Sequence, residues 1–334
     1  MKAASGLAAG ATACPELAEK AVEQALVRLG TDRAATLILL LSNEFDADIA
    51  TTLRRAARVA GTLQISGLKA HGVFTEQGWE IDRPAVAVIA FGENTNPAPS
   101  HQYAHQVKFL TQRAFSEEGR LLFPQSGIQM NTGSAWHSGR LAQQAEIELQ
   151  TRKPASILLS RGLRMLTPSC LVTQTEGLML TSIDGQVAGD FIRRFLPPEA
   201  KPPGEFHRLR LIRDNHDPGI GIIAELPGGA LLLTHALAPG MAIQLAIRQP
   251  LAAGQEMRSQ LSQAKQHSTP DFALMFSTLA RGPMFYGGED DDLRAVREIY
   301  PDLPMAGAYG DAVIFSHNDR TRMDQNSVLT LLYN

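Results

Sequence analysis

An α/β fold built from two related halves, each a mixed β-sheet flanked by helices, is predicted by three features of the sequence. Short apolar runs typical of buried strands alternate with amphipathic stretches typical of helices. The order of these elements is the same near both ends of the chain, which indicates an internal duplication. A glycine-containing hairpin also occurs at the matching place in each half, where small residues permit a tight bend.

The first predicted half begins after an amphipathic helix over residues 16–29, which Gly30 terminates. The elements that follow are a buried strand over 36–42, a helix over 46–60, and strands near 62–67, 71–75 and 85–91. We therefore divide the chain into an N-terminal helix over 1–30, a first domain over 31–180 and a second domain over 181–334.

The middle of the chain has weaker patterns. Residues 92–100 are predicted to be a loop, and residues 101–117 a helix. Residues 124–139 are rich in turn formers, and a loop of that length is usually functional or poorly ordered. Residues 201–205 are the best linker candidate by composition.

Strand patterns dominate the rest of the chain. Strands are predicted at 155–160, 169–175, 178–182, 221–225, 230–235 and 242–248, followed by a helix over 250–266. The final elements are a strand at 271–277, a helix at 289–299 and strands near 305–309, 312–316 and 327–333.

The repeat predicts pairs of equivalent positions in the two halves. The opening strands both end in a serine, Ser42 and Ser277. The hairpins align at a constant offset, with residues 67–74 matching residues 307–314. His71 and Asp311 therefore fall at equivalent places, and they are either a ligand-binding pair or two unrelated turn residues.

Bulk properties exclude several classes of protein. The 334 residues are 44% apolar and 19% charged with a net charge of −3, which argues against disorder. No basic block is present to attract nucleic acid or an anionic membrane surface. Two cysteines favour a reducing compartment, and the apolar run at 36–41 is too short to span a membrane. With no apolar signal segment at the N-terminus, we expect a cytoplasmic protein.

Several motifs of the second half belong together. They are Phe276-Ser277-Thr278-Leu279-Ala280-Arg281-Gly282, Phe285-Tyr286-Gly287 before an acidic helix, and Pro304-Met305-Ala306-Gly307-Ala308-Tyr309-Gly310. With residues 183–197 and 239–250, they resemble the C-terminal half of the FIST family, bacterial sensory domains that also occur in some eukaryotic proteins. Residues 67–74, Gly78-Trp79 and the strand at 85–91 are similar to the family's N-terminal half. The resemblance covers residues 36–91 and 181–334.

The chain departs from the family pattern at places where a ligand would bind. Thr278 and Leu68 stand where the family has cysteines. Ala312-Val313 stands where the family has Gly-Glu, so Asp311 is the carboxylate left to replace it. These changes leave the fold inference intact but leave the identity of the ligand open. A further alternative is a scaffold that has lost its ligand site through these substitutions.

The resemblance implies a protein that senses a small molecule, with amino acids or their derivatives as the expected class. No kinase or cyclase module is present, so the signal would pass to a separate protein such as a histidine kinase or a cyclase. Some similar proteins bind haem as nitric oxide sensors; haem here needs an axial histidine, and the candidates are His207, His216, His235 and His317. The candidate ligand-binding residues are Ser42, Gly67, His71, Ser277, Thr278, Arg281, Gly307, Tyr309 and Asp311.

Several of these residues also have plain structural interpretations. Ser42 and Ser277 lack the Gly-x-Ser-x-Gly context of a nucleophile, so they either cap a turn or contact a ligand. Arg281 either grips a ligand carboxylate or pairs with the acidic run at 289–292. Tyr309 is either a core residue or a platform for the ligand.

Other chemical patterns are incomplete. His101 and His105 have the spacing of metal ligands on a helix, but Gln102 replaces the glutamate of a metalloprotease. The acids at 289–292 fit a helix N-terminus better than a cation site. A hydrolase or transferase centred on residues 136–138, within the segment at 124–140, is the alternative enzyme hypothesis. We find no complete catalytic constellation and predict no catalytic or metal-binding residue.

Overall fold

The structure is a computed structural model that describes residues 2–46, 48–92, 105–111, 125–142, 146–151, 155–197, 206–214, 217, 219–317 and 320–334. The chain forms two compact units: the first comprises Met1–Ser160 with Met257–Asn334, and the second comprises Arg161–Glu256. The predicted linker at 201–205 lies outside the described residues, as do His101, His216 and all but the first residue of the predicted loop at 92–100.

The N-terminal part of the first unit begins with β1 (Ala3–Ala9), α1 (Pro15–Leu29), β2 (Thr36–Ser42), α2 (Ile49–Ala60), β3 (Ile65–Ala70), β4 (Gly72–Thr75), β5 (Gly78–Ile81) and β6 (Ala85–Phe91). It continues with β7 (His105–Leu110), β8 (Gln125–Gln129), β9 (Ala135–His137), β10 (Arg140–Leu141), β11 (Glu146–Thr151) and β12 (Ala155–Ser160).

The second unit contains β13 (Leu163–Met165), β14 (Cys170–Glu176), β15 (Met179–Ile183), β16 (Gln186–Val187), α3 (Ala188–Arg193), a 3-10 turn (Phe206–Arg208), β17 (Leu209–Ile212), β18 (Ile220–Glu225), β19 (Leu231–Leu233) and β20 (Ala242–Arg248). The chain returns to the first unit through α4 (Pro250–His267), then β21 (Phe272–Thr278), a 3-10 turn (Leu279–Arg281), α5 (Pro283–Tyr286), α6 (Asp291–Ile299), β22 (Met305–Gly310), β23 (Ala312–His317), β24 (Arg320–Asp324) and β25 (Val328–Tyr333).

Two sheets of the first unit correspond strand for strand. Their orders are β1-β6-β2-β3-β9-β10 and β12-β25-β21-β22-β4-β5. In each sheet the third and fourth strands are parallel and joined by a helical crossover, while every other neighbouring pair is antiparallel. The predicted α/β fold with a repeated mixed sheet is therefore confirmed.

Alternating side chains place these sheets face to face. Ile38 and Leu40 of β2 share one core with Leu274 and Phe276 of β21. The intervening residues of β2 pack beneath α1 and α2, and those of β21 pack beneath α4 and α6. The first unit is thus layered helix, sheet, sheet, helix, which explains why its central strands are apolar on both faces.

In the structure, the opening strands of the two repeats are related by a register one residue different from the one that places Ser42 opposite Ser277 in the sequence. Ser42 pairs with Ala70 in the parallel ladder, and Thr278 pairs with Gly310. Because the hairpins align at the predicted offset, the counterpart of Ser42 is Thr278, and the prediction that both opening strands end in a serine is wrong for the second strand. Strand β21 simply extends one residue beyond the predicted end.

A strand at the N-terminus was not predicted from the sequence. Alanine, glycine and serine dominate β1, and these residues have low strand propensity. The strand lies so close to α1 that a Cβ on Gly6 would stand 2.0 Å from the carbonyl oxygen of Ala21. Close packing against the helix therefore selects small residues over typical strand formers.

Two other predictions are wrong in the middle of the chain. The predicted helix at 101–117 contains β7, and the predicted long loop at 124–139 contains β8 and β9. Strands β7 and β8 belong to a third sheet with the order β11-β7-β8-β23-β24. Val107 and Phe109 of β7 alternate into the shared core, so long-range pairing overrides the weak local pattern.

The second unit is formed by antiparallel pairings around its own apolar core. Strand β20 pairs with β13, β14 and β17, which closes the strand order β20-β14-β15-β19-β18-β17 on itself. The predicted domain division at 180/181 falls inside β15 of this unit. Among the described residues, no helix has the length and apolar character needed to cross a membrane.

Candidate functional site

The predicted pair of equivalent turn residues comes into direct contact. His71 Nε2 lies 3.1 Å from Asp311 Oδ1, although the residues are 240 positions apart. Backbone hydrogen bonds fix both turns, from His71 N to the Tyr309 carbonyl (3.0 Å) and from Asp311 N to the Gln129 carbonyl (2.9 Å). About a quarter of each side chain is exposed, so solvent and solutes reach the pair.

Two asparagines that sequence reasoning missed complete this contact. The Asn43 side-chain amide lies 3.0 Å from His71 Nδ1, and the Asn131 backbone N–H donates to Asp311 Oδ2 at 2.7 Å. With the Asn43 amide as donor, Nδ1 accepts, and Nε2 carries the proton that it donates to Asp311. Asn43 directly follows a parallel strand, the position where polar ligand contacts cluster in α/β sheets, and that signal was available in the sequence.

The loop between β2 and α2 makes a second contact beside the first. Lys69 Nζ donates to Asp46 Oδ1. Lys69 precedes His71 by two residues, and Asp46 follows Asn43 by three. The loop is therefore tied to the end of β3 at two places, and the resulting cluster of Asn43, Asp46, Lys69, His71 and Asp311 is called the junction site below.

The three predicted hydroxyl residues, Ser42, Ser277 and Thr278, are buried. Ser42 Oγ accepts the Ala85 backbone N–H at 2.9 Å, which ties β2 to β6. Ser277 Oγ donates to the neighbouring Thr278 carbonyl at 3.5 Å. Thr278 Oγ1 has no hydrogen-bond partner among the described residues. The structure therefore gives Ser42 a structural role, and among the described residues it shows no hydrogen bond from Ser277 or Thr278 to His71 or Asp311.

The two predicted glycines are sites of close strand packing. A Cβ on Gly67 would lie 1.8 Å from the Leu39 carbonyl oxygen. A Cβ on Gly307 would lie 2.2 Å from the Met275 carbonyl oxygen and 2.2 Å from Phe74 Cε2. The absence of a side chain at each glycine thus allows its strand to pack closely against the neighbouring parallel strand. This packing explains both glycines without a ligand.

Arg281 pairs with the acidic run at 289–292, which was one of the two interpretations of the sequence; the other was a contact with a ligand carboxylate. Its guanidinium is fully buried, 3.1 Å from Asp292 Oδ1, and it also donates to Ser160 Oγ at 2.8 Å and to Tyr286 Oη at 3.0 Å. Tyr286 Oη in turn donates to Asp292 Oδ2 at 2.7 Å. These four residues form a closed polar network inside the protein, which leaves the guanidinium no exposed face.

Tyr309 belongs to the same buried region. Its hydroxyl donates to Asp290 Oδ2 at 2.5 Å, and its ring packs 4.8 Å from that of Phe74. Asp290 also caps α6 by accepting the Leu293 backbone N–H. Tyr309 is therefore a core residue whose carbonyl, but not whose ring, participates in the junction site.

Burial shifts the acid–base properties of this network. It raises the pKa of Asp292 to about 7, against the opposing effect of Arg281, and it raises the pKa of Asp290 as well. The pKa of Tyr309 is raised well above its usual range by burial and by the Asp290 charge.

Stability should consequently fall as the pH rises toward neutrality. A raised carboxyl pKa means that the folded state retains a proton that the unfolded chain has already lost above about pH 4. Relative to an Asp292→Asn variant, the wild-type free energy of unfolding should fall by about 1.4 kcal/mol per pH unit between pH 5 and 6, and by about half that slope at pH 7. Urea unfolding at three pH values measures this slope.

A neighbouring aspartate provides the control for that experiment. The Arg258 guanidinium lowers the pKa of Asp291, so its stabilising contribution is lost only in acid, below this pH range. An Asp291→Asn variant should keep the wild-type slope from pH 5 to 7. Equal slopes in wild type and Asp292→Asn would contradict the raised pKa.

The alternative hypothesis of a hydrolase or transferase centres on residues 136–138, which differ in their exposure to solvent. Trp136 is fully buried, whereas His137 is exposed and its Nδ1 lies 3.0 Å from Ser66 Oγ. Ser66 and His137 each adjoin a residue of the ladder between β3 and β9, in which Gly67 pairs with Trp136. The contact brings a hydroxyl to an imidazole, but no carboxylate that orients His137 is seen among the described residues.

The haem candidates that can be assessed do not fit an axial ligand. His207 and His235 are both exposed, while an axial histidine belongs in an apolar pocket. Residues 2–46, 48–92 and the other described ranges contain no group of three potential metal ligands. The acids at 290–292 are instead used in the helix cap and in contacts with Arg258 and Arg281.

Fold and site together define an α/β protein with two face-to-face repeated sheets and a polar, partly exposed site where their turns meet. No protein-family model matches the chain. Two uncharacterized proteins from two strains of Mycobacterium tuberculosis are 23% identical to it over 167 residues. The match covers 46% of this chain and 44% of each relative, so the chain spans less than half the length of these relatives.

Proposed function

We propose that this protein is a cytoplasmic, small-molecule-binding sensory protein of the FIST type that acts through a separate signalling protein. The observation that carries the proposal is the contact of His71 with Asp311, which joins equivalent turns of the two repeats. This pair is partly exposed and lies by the carboxyl ends of parallel strands, where α/β proteins commonly bind ligands.

The junction site has suitable chemistry for an amino acid or a derivative. Asp311 presents a carboxylate to an ammonium or amide donor, and His71 and Asn43 supply polar groups beside it. A ligand that bonds to these groups competes with the contact between the turns. Binding would therefore shift the population of arrangements at the junction, which a histidine kinase or a cyclase would detect.

A thermal-shift screen against amino acids, their derivatives and haem tests this function. A ligand of the native state present at 100 times its Kd should stabilise the protein by about 2.7 kcal/mol. We expect His71→Ala to lose most of that stabilisation, because the ligand and Asp311 both lose their imidazole partner. A His235→Ala variant should retain it, since His235 is exposed and bonded to its neighbour Thr234.

Each result of the screen has a definite meaning. No shift with any compound would contradict the sensory function, and equal shifts in wild type and His71→Ala would contradict the site. A Soret band after haem addition would instead favour the nitric oxide sensor. The signal partner is then sought with the ligand that the screen identifies.

The contact between Ser66 and His137 favours one second candidate, a hydrolase or transferase. An imidazole beside a hydroxyl is the first requirement of nucleophilic catalysis. Loss of turnover in His137→Ala, with the fold retained, is the expected signature of this activity. Absence of turnover in the wild type, across ester, amide and phosphate substrates, would remove the candidate.

A further inference from the structure

We propose that Lys69 binds an anionic group of the ligand, and that Asp46 occupies this position as an internal substitute until the ligand displaces it. The proposal rests on the proposed function and specifies part of its ligand, a carboxylate-bearing small molecule. The observation behind it is that Lys69 and Asp46 form an ion pair although their side chains differ greatly in exposure to solvent. The Lys69 side chain is 11% exposed, whereas that of Asp46 is 78% exposed.

Lys69 is held in place at the end of β3. Its backbone N–H donates to the Ser134 carbonyl at 2.9 Å, and the residue pairs with Leu41 in the parallel ladder. A buried ammonium without a counter-charge carries a large desolvation penalty. The site therefore requires an anion at Lys69 but does not require that the anion belong to the chain.

Asp46 is suited to be exchanged. It lies in the loop between β2 and α2, and most of its side chain already faces solvent. On leaving Lys69, its carboxylate regains full hydration, which offsets the loss of the ion pair. A ligand carboxylate that takes its place satisfies the same ammonium, so the exchange conserves the number of ion pairs.

The exchange would reach both the rest of the junction site and a surface helix. Asn43, in the same loop, bonds to His71, which contacts Asp311. A molecule with an anionic group at Lys69 and a donor at Asp311 would thus bridge the two repeats. The loop released by Asp46 leads directly into α2, which gives binding a route to an outer face of the protein.

Chemical rescue tests the proposal with acetate as the probe. We expect Asp46→Ala to lower the Tm by about 3 °C, because it leaves Lys69 without its partner. Sodium acetate should restore the Tm of this variant more than sodium chloride of equal ionic strength. The matched control is Glu44→Ala, which removes an exposed carboxylate from the same loop and should show no acetate-specific gain.

The double variant Asp46→Ala/Lys69→Met removes both charges and should also lose the acetate effect. Sodium phosphate is the second arm, and a larger rescue by phosphate than by acetate would assign the position to a phosphate group instead of a carboxylate. An unchanged Tm in Asp46→Ala, or equal effects of acetate and chloride on it, would overturn the proposal. Because acetate reports on Lys69 alone, rescue can succeed while the amino-acid screen fails, which separates the two proposals.

Discussion

Arg281→Met should lower the free energy of unfolding by about 3–5 kcal/mol, the cost of breaking a buried ion pair by removing one partner. The guanidinium and the Asp292 carboxylate are almost completely shielded from water, 3.1 Å apart. Methionine fills much of the volume but donates no hydrogen bond, so Asp292 loses its counter-charge and Ser160 loses a donor. Urea unfolding at pH 8.5, above the pKa of about 7 of Asp292, where its carboxyl group is ionised, measures the loss.

Two further variants show whether burial causes this effect. Arg294→Met removes another arginine of the same region, whose side chain is 59% exposed, and should cost about 0.5 kcal/mol or less. Adding Asp292→Asn to Arg281→Met removes the uncompensated charge and should recover part of the stability. Equal losses in Arg281→Met and Arg294→Met would show that the buried network contributes no more than a surface pair.

Gly67→Ala and Gly307→Ala should each destabilise the protein by about 3 kcal/mol. The added methyl group would stand 1.8 Å and 2.2 Å, respectively, from a carbonyl oxygen of the adjacent strand. Both obstacles are backbone atoms within parallel ladders, so the strands themselves must separate to make room. Thermal and urea unfolding of the two variants give the change in stability directly.

Gly78→Ala is the matched control for the added methyl group. Gly78 also lies in a strand, but the nearest atom to its added Cβ is Leu7 Cδ2 at 3.9 Å, an ordinary contact. We expect this variant to remain within about 0.5 kcal/mol of wild type. Losses at Gly67 and Gly307 no larger than that at Gly78 would contradict the close-packing role.

The two repeats differ in the polar residues that follow their first parallel strand. In the second repeat, Arg281, Asp292 and Tyr286 fill the region after the parallel strand β21 with their own buried network. In the first repeat, the loop after β2 presents Asn43 and Asp46 at the surface. The duplicated fold thus combines one half that has a buried polar network with another half whose polar groups are partly exposed.

The local sequence pattern was sufficient to predict a strand or helix wherever its apolar residues formed a strong pattern. The apolar runs of β2 and β6 are each followed by a polar or turn-forming residue, Asn43 and Gly92, and both strands have the predicted bounds. The predicted helix end before Gly30 is confirmed. Gly30 ends the helix because it adopts a left-handed conformation, with a φ of 73°. Prediction failed for β1 and β7, whose residues are strands because of their partners rather than their propensity.

The repeat in the sequence predicted that His71 and Asp311 are equivalent, and it did so without any knowledge of their distance. Only the tertiary structure brings them to 3.1 Å and adds Asn43 and Asn131 to the contact. The sequence likewise left two partners open for Arg281, a ligand or the acidic run. Burial decides between them, because a guanidinium enclosed by Asp292, Tyr286 and Ser160 has no face left for a ligand. Periodicity thus determined the elements and their repetition, while desolvation and long-range contact, which local sequence does not encode, decided which polar residues stabilise the core and which remain available at the surface.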